Sequence, residues 1–260
     1  MAESVGTGSK AGIVTRIALV LSLGAIVAAL IAAIGSASGW WHFRSGLGAL
    51  RYCFYAAGAG ALAAVVGLVL ARRARQGRLV LANVIALLAA LGFMAYLGAK
   101  VRTARSVPAI HDVSTNLDDL PQFSRLKIRA DNLEKVPDMD RPELKAMEPE
   151  ERWKAVHRSA YGDLRTVHLP MSAEDAIRRA EALARDRGWE IVRSDPAAGI
   201  LEATETSLFF RFKDDVVVRA RPAPQGGSLV DMRSISRVGA SDVGVNAQRV
   251  RSFLADLQAR

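Results

Sequence analysis

Cysteine is nearly absent from this 260-residue sequence. The single one, Cys53, lies inside an apolar run, so the polar remainder has no thiol for a disulfide, a zinc ligand or a nucleophile. That scarcity suits an oxidising compartment as well as a reducing one and assigns neither. Acidic residues are missing from the first 99 positions apart from Glu3, which removes the carboxylates that a proton or cation pathway through a membrane would need. No catalytic, metal or nucleotide motif is present either; G-x-S-x-G, for instance, does not occur, and the sequence implies no cofactor and no metal.

What is present divides near residue 100. Against Glu3 stand eight bases up to Ala99 (Lys10, Arg16, Arg44, Arg51, Arg72, Arg73, Arg75, Arg78), leaving 27 of the 35 bases and 25 of the 26 acids for the rest. The overall excess of +9 therefore belongs mostly to the apolar part. A domain that grips nucleic acid would carry that excess itself, so nucleic acid is excluded as a partner and the bilayer takes its place.

Three apolar runs, Ile13 to Ile34, Leu50 to Leu70 and Leu79 to Ala99, are each long enough to cross roughly 30 Å of hydrocarbon as a helix. They predict a transmembrane anchor over residues 1–100. Arg16 can snorkel from the end of the first, and Trp40, Trp41 and Phe43 suit the headgroup level after it. Gly24 and Ala28 in the first run, and Ala56, Gly60 and Ala64 in the second, suggest close helix packing. The four arginines Arg72, Arg73, Arg75 and Arg78 predict a cytoplasmic loop, hence an inner-membrane protein with its amino terminus inside and its carboxy-terminal domain periplasmic. Arg44, Arg51, Lys100, Arg102 and Arg105 oppose that orientation.

Residues 101–160 are polar and punctuated by Pro108, Pro121, Pro137, Pro142 and Pro149, an extended lead-in with one helix from Pro149 to Ser159. Residues 161–260 are patterned throughout. A strand at Thr166 to Leu169 precedes a helix that Ser172 caps and Gly188 closes. Strands follow at Trp189 to Arg193, Ile200 to Phe210, Val216 to Arg221 and Ser228 to Arg237, and a helix runs from Val243 to Ala259. Consecutive strands without intervening helices predict an α+β domain of β-α-β-β-β-β-α order, its sheet antiparallel and its helices on one face.

Four blocks of this half carry a resemblance. They are Ile110-His111-Asp112-Val113-Ser114-Thr115-Asn116 with Pro121 and Phe123, Tyr161-Gly162-Asp163-Leu164, Asp214-Asp215-Val216-Val217-Val218-Arg219, and the run from Arg233 to Asn246. Together, over about Pro108 to Arg260, they resemble the domain-of-unknown-function family 1499 of bacteria and plastids. The resemblance implies a domain and, because some members carry a hydrophobic extension, a membrane-tethered form of it. It implies no reaction, substrate or catalytic residue.

The strongest local feature is the strand-to-helix junction after Arg233. Arg233, Ser236, Arg237, Asp242, Gly244, Asn246 and Arg249 gather arginines beside a helix amino terminus, where unpaired N–H groups and a partial positive charge suit a carboxylate or phosphate. The same residue types also serve as caps and turns. His111 and Asp112 offer an acid and base pair for an envelope hydrolase or lipid-modifying enzyme acting near this junction, although neighbours in an extended chain point apart. His111, His157 and His168 lack paired metal-ligand spacing. The reading that follows is a non-enzymatic membrane protein of the cell envelope, whose domain binds a lipid headgroup, small anion or protein partner.

Overall fold

The computed structural model describes residues 2–134 and 136–259, with side chains from Lys10 onward. The chain forms two compact units, one of residues up to Arg102 together with Leu208–Phe210, the other of Thr103–Ser207 and the residues from Arg211 onward.

The first unit is three helices, α1 (Ala2–Ala37), α2 (Phe43–Arg73) and α3 (Gly77–Ser106), with spans at Lys10–Ala37, Phe43–Arg73 and Gly77–Ser106 long and apolar enough to cross a membrane. The connections are short, which makes sequential helices antiparallel neighbours. His42 caps α2 by accepting the N–H of Arg44 (3.2 Å), and Arg72 and Arg73 lie in its last turn, where cations complement the helix dipole. Small side chains set the packing, but on α1 not the ones expected. Gly24 and Ala28 are exposed, and the buried stripe is Ala18, Ser22, Ala25, Ala29 and Ala32. On α2, Gly60 and Ala64 are buried as the spacing suggested, and a Cβ on Gly60 would stand 2.5 Å from Ser22 Oγ. A polar lock joins α1 and α3 inside this bundle: buried Asn83 Nδ2 donates to Thr15 Oγ1 (2.7 Å) and to Leu79 O (2.8 Å).

The second unit is an antiparallel sheet with helices on one face. Its strands are β1 (Asp112–Ser114), β2 (Val167–Leu169), β3 (Glu190–Asp195), β4 (Ile200–Thr206), β5 (Lys213–Pro222) and β6 (Ser228–Ser236), ordered β1-β6-β5-β4-β3, with β2 pairing β6 beyond β1. Four helices complete it: α4 (Pro142–Lys145), α5 (Pro149–Tyr161), α6 (Ala173–Asp186) and α7 (Val245–Ala259). The expected α+β class holds, with one strand more than the sequence suggested. That strand, β1, comes from the proline-punctuated segment and sits beside β6, Val113 opposite Ser234.

Strand alternation decides what each face carries. Register places Val113, Ser234, Val216, Ala203 and Ile191 in one row, and Met232, Val218 and Leu201 in the next, all toward the helices. Ile177, Ala180, Leu183 and Ala184 of α6 and Val250, Phe253, Leu254 and Leu257 of α7 bury against them. Trp153, Val156 and Tyr161 of α5 join the same core, and Trp189 stacks on Phe253 with centroids 5.0 Å apart. Each large apolar side chain buried here contributes about 1.5–3 kcal/mol. The other face of the sheet is polar and charged, and the segment after β1 crosses it.

Candidate functional site

Alternation along β6 splits the junction residues between the two faces. Ser234 and Ser236 face the helices, while Arg233, Ile235 and Arg237 lie on the charged face.

On the helix side the polar groups close on one another. Ser236 is followed by a turn in which Gly239 (φ 92°), Val243 (φ 58°) and Gly244 (φ 78°) are left-handed. A Cβ at Gly244 would lie 3.2 Å from Val107 Cγ1, a tight contact, and the left-handed backbone there favours glycine in its own right. Asp242 accepts the N–H groups of Gly244 (2.8 Å) and Asn246 (2.7 Å), so the start of α7 receives a carboxylate from its own chain. Burial pushes the Asp242 carboxyl up, against the opposing pull of those two N–H donors. Asn246 donates to His111 O (3.0 Å) and Ser236 Oγ (2.9 Å), and its own oxygen accepts Ser234 Oγ (2.7 Å) and Arg249. Arg249 also pairs with Asp214 (2.6 Å) and Glu205, all within a region closed to solvent at the guanidinium, whose side chain is 5% exposed.

The charged face is a lattice of ion pairs across strands. Arg233 grips Asp112 through Nε (3.0 Å) and Nη2 (2.7 Å), and Asn132 donates to the same carboxylate (2.6 Å). Arg219 and Arg221 both reach Asp231 (2.9 Å each) and both reach Asp119. Arg237 makes two bonds to Asp215 (2.9 and 2.8 Å), and Thr204 donates to that acid as well (2.8 Å). Of Arg233, Arg237 and Arg249, Arg237 alone is exposed.

The acid and base pair of the sequence does not meet. The Asp112 carboxylate is committed to Arg233 and Asn132 on the charged face. His111 Nδ1 lies 3.3 Å from Ala240 O, on the opposite side of the strand. His157 accepts the Ser114 N–H at Nε2 (3.2 Å), and His168 Nε2 lies 2.9 Å from Gly226 O, so the three histidines serve three separate places. Desolvation lowers His157 to about 4. Among the described residues, no group of three or more His, Cys, Asp or Glu could hold a metal ion.

Beside Arg237 the charged face opens into a cleft of about 170 Å³. Phe123, Leu126, Ile128 and Ile235 form its apolar floor, and Lys127, Arg129, Arg237 and Asp215 its polar rim. Its position depends on Glu202, which is fully buried on β4 and accepts the N–H groups of Ser124 (2.8 Å), Arg125 (3.0 Å) and Leu126 (2.9 Å) and the Ser124 hydroxyl. Burial alone would raise that carboxyl, yet the donors hold it below its ordinary value. Arg129 is held by Asp131 (2.6 and 2.7 Å) and donates to Gly239 O, while Lys127 is exposed and has no ion pair among the described residues. Ser236 and Arg237 are the members of the expected site that line this cleft. Sequence reasoning missed its other wall, which the alternation of apolar and basic residues in Leu126-Lys127-Ile128-Arg129 could have signalled.

The family model described as "Protein of unknown function (DUF1499)" matches residues 112–257, more than half of the chain. The chain belongs to this family. No curated protein matches it. The DUF1499 match starts at Asp112, the acid of the buried pair, and ends at Leu257, a core residue of α7, so it spans the whole sheet. It leaves α1, α2 and α3 outside, and this DUF1499 protein therefore joins a family domain to three helices able to cross a membrane.

Proposed function

We propose that this is a non-enzymatic membrane protein of the cell envelope whose DUF1499 domain holds a phosphate-bearing lipid headgroup in the cleft beside Arg237. The observation that carries the reading is the pairing of an apolar floor with Lys127, a cation without an ion pair among the described residues, on an open rim that also holds the ion-paired Arg129 and Arg237. An apolar base and a cationic edge suit an amphiphile with an anionic head. At about 170 Å³ the cleft takes a headgroup and falls below the roughly 300 Å³ at which drug-sized ligands begin. A turning-over site is disfavoured by the commitment of Asp112 to Arg233 and by the separate partners that His111, His157 and His168 take.

The anchor is read as lying in the inner membrane, with the four arginines from Arg72 to Arg78 and the amino terminus cytoplasmic and the domain periplasmic. A reporter fused after the last residue tests that placement, and activity only from a cytoplasmic reporter overturns it. For the cleft, full-length protein in nanodiscs is compared by native mass spectrometry for retained anionic and zwitterionic lipid, with inorganic phosphate as competitor. Removing one surface cation costs about 1 kcal/mol of anionic-lipid attraction. Lys127→Ala should therefore lower retention of anionic lipid roughly fivefold and leave zwitterionic lipid unchanged. Equal retention by Lys127→Ala and the native protein refutes the headgroup reading, and displacement by phosphate alone assigns the cleft to a free anion.

A further inference from the structure

The β4–β5 hairpin ends in an apolar tip that its own geometry does not require. Ser207 N–H donates to Phe212 O (2.8 Å) and Phe212 N–H donates to Ser207 Oγ (2.8 Å), which clamps the loop at its base. Inside the clamp run Leu208, Phe209, Phe210 and Arg211, the last at φ 55°. Leu208 is 80% exposed and Phe209 49% exposed. The other turns of this sheet are built conventionally from polar and small residues, Pro196-Ala197-Ala198-Gly199 between β3 and β4 and Pro224-Gln225-Gly226-Gly227 between β5 and β6. Two large apolar side chains held toward solvent by a fixed turn mark a contact surface.

We propose that this tip is a lipid-surface contact, in which Leu208 and Phe209 enter the boundary between headgroups and acyl chains while Arg211 meets lipid phosphate. Three observations favour lipid over a protein partner. The domain is continuous with helices able to span a membrane, so a bilayer is present at high effective concentration and a small wedge suffices to hold it. Aromatic and aliphatic side chains beside an arginine have the composition of interfacial anchors. The charge at the tip is also of the right sign. Arg211 is exposed with no ion pair among the described residues, whereas the nearby acids Glu205 and Asp214 are turned inward onto Arg249. The tip lies at the sheet end that carries the cleft, where Arg237 N–H donates to Lys213 O (3.0 Å). The contact stands on the loop alone and goes beyond the headgroup reading of the cleft.

The test uses full-length protein in nanodiscs containing anionic lipid. Cys53→Ala removes the native thiol, and Leu208→Cys or, at the opposite end of the sheet, Gln225→Cys carries an environment-sensitive nitrobenzoxadiazole dye. The label at 208 should emit at shorter wavelength than the label at 225 and be quenched at least threefold more by lipids bearing a doxyl group near the headgroup. Adding Arg211→Glu should reduce that quenching in anionic nanodiscs. Equal emission and quenching at the two positions overturns the proposal. So does a blue shift at 208 without doxyl quenching, which assigns the tip to a protein contact. Because Lys127→Ala leaves the tip intact, loss of headgroup retention in that variant with unchanged quenching at 208 separates the two readings.

Discussion

Removing the Asp112 carboxylate should be among the most damaging single changes in the domain. The pair it forms with Arg233 is closed from solvent on both sides, with side-chain exposures of 1% and 5%, and the acid also receives Asn132. In Asp112→Ala the guanidinium keeps only Pro121 O, at 3.5 Å, and cannot lose its charge at any accessible pH. Stranding one member of a buried pair costs about 3–5 kcal/mol. For a domain of this size each 1 kcal/mol lowers Tm by about 2–4 °C, which gives a fall of about 6–20 °C. The measurement is urea and thermal unfolding of full-length protein in detergent micelles, followed by tryptophan fluorescence, since Trp153 Nε1 donates to Asp112 O (2.9 Å) and reports on this corner. The discriminating variant is the double change Asp112→Leu with Arg233→Met, which removes both charges and leaves two apolar side chains in their place. It should recover most of the loss, because an apolar pair replaces a buried ion pair at little net cost. A loss under about 1 kcal/mol in Asp112→Ala, or a double variant as unstable as the single one, refutes the reasoning that an unpaired buried charge is the cause.

Acid should weaken the domain through His157. Desolvation holds its folded pKa at about 4 against an ordinary 6.5, so between those values the unfolded chain binds a proton that the folded chain does not. Stability therefore falls as pH drops from 6.5 toward 4, by about 3 kcal/mol in all, and urea midpoints across that range measure it; imidazole signals showing His157 protonated near 6.5 would contradict this. In the anchor, Asn83→Ala removes the bond to Thr15 and should cost about 0.6 kcal/mol, the usual worth of a hydrogen bond between membrane helices, read from unfolding in mixed micelles. A loss above about 3 kcal/mol there would mean that Asn83 does more than join α1 to α3.

The parts of the fold that were legible in the sequence are those whose signal is local. Apolar length alone located α1, α2 and α3, and Ser172 with Gly188 bounded α6 closely, since a cap and a left-handed glycine act on their own neighbours. Strand β1 was missed because three residues carry no alternation of their own, and β6 supplies what holds them in the sheet. Strand β4 was overextended to Phe210 because Leu208, Phe209 and Phe210 continue an apolar run, while the Ser207 clamp ends the pairing at Thr206. Helix α7 starts two residues later than its pattern suggested, since Val243 and Gly244 hold left-handed backbone. The α1 stripe was misplaced for a related reason: small residues recur on several faces of that helix, and α2 decides which of them is covered.

The junction shows the same limit in chemical form. The residue types announced arginines near a helix start, but their partners lie in other blocks of the chain: Arg233 takes Asp112, Arg237 takes Asp215, Arg249 takes Asp214 and Arg251 takes Asp163. Those four acids come from the three remaining blocks by which the family resemblance was recognised. The most distinctive stretches of the sequence are thus halves of ion pairs that draw β1, the end of α5 and β5 onto β6 and α7. A charge neutralised in this way organises the domain and has little left to offer a ligand. Lys127 and Arg211 lie between these blocks, exposed and without an ion pair among the described residues, and each of the two surfaces proposed above is built around one of them.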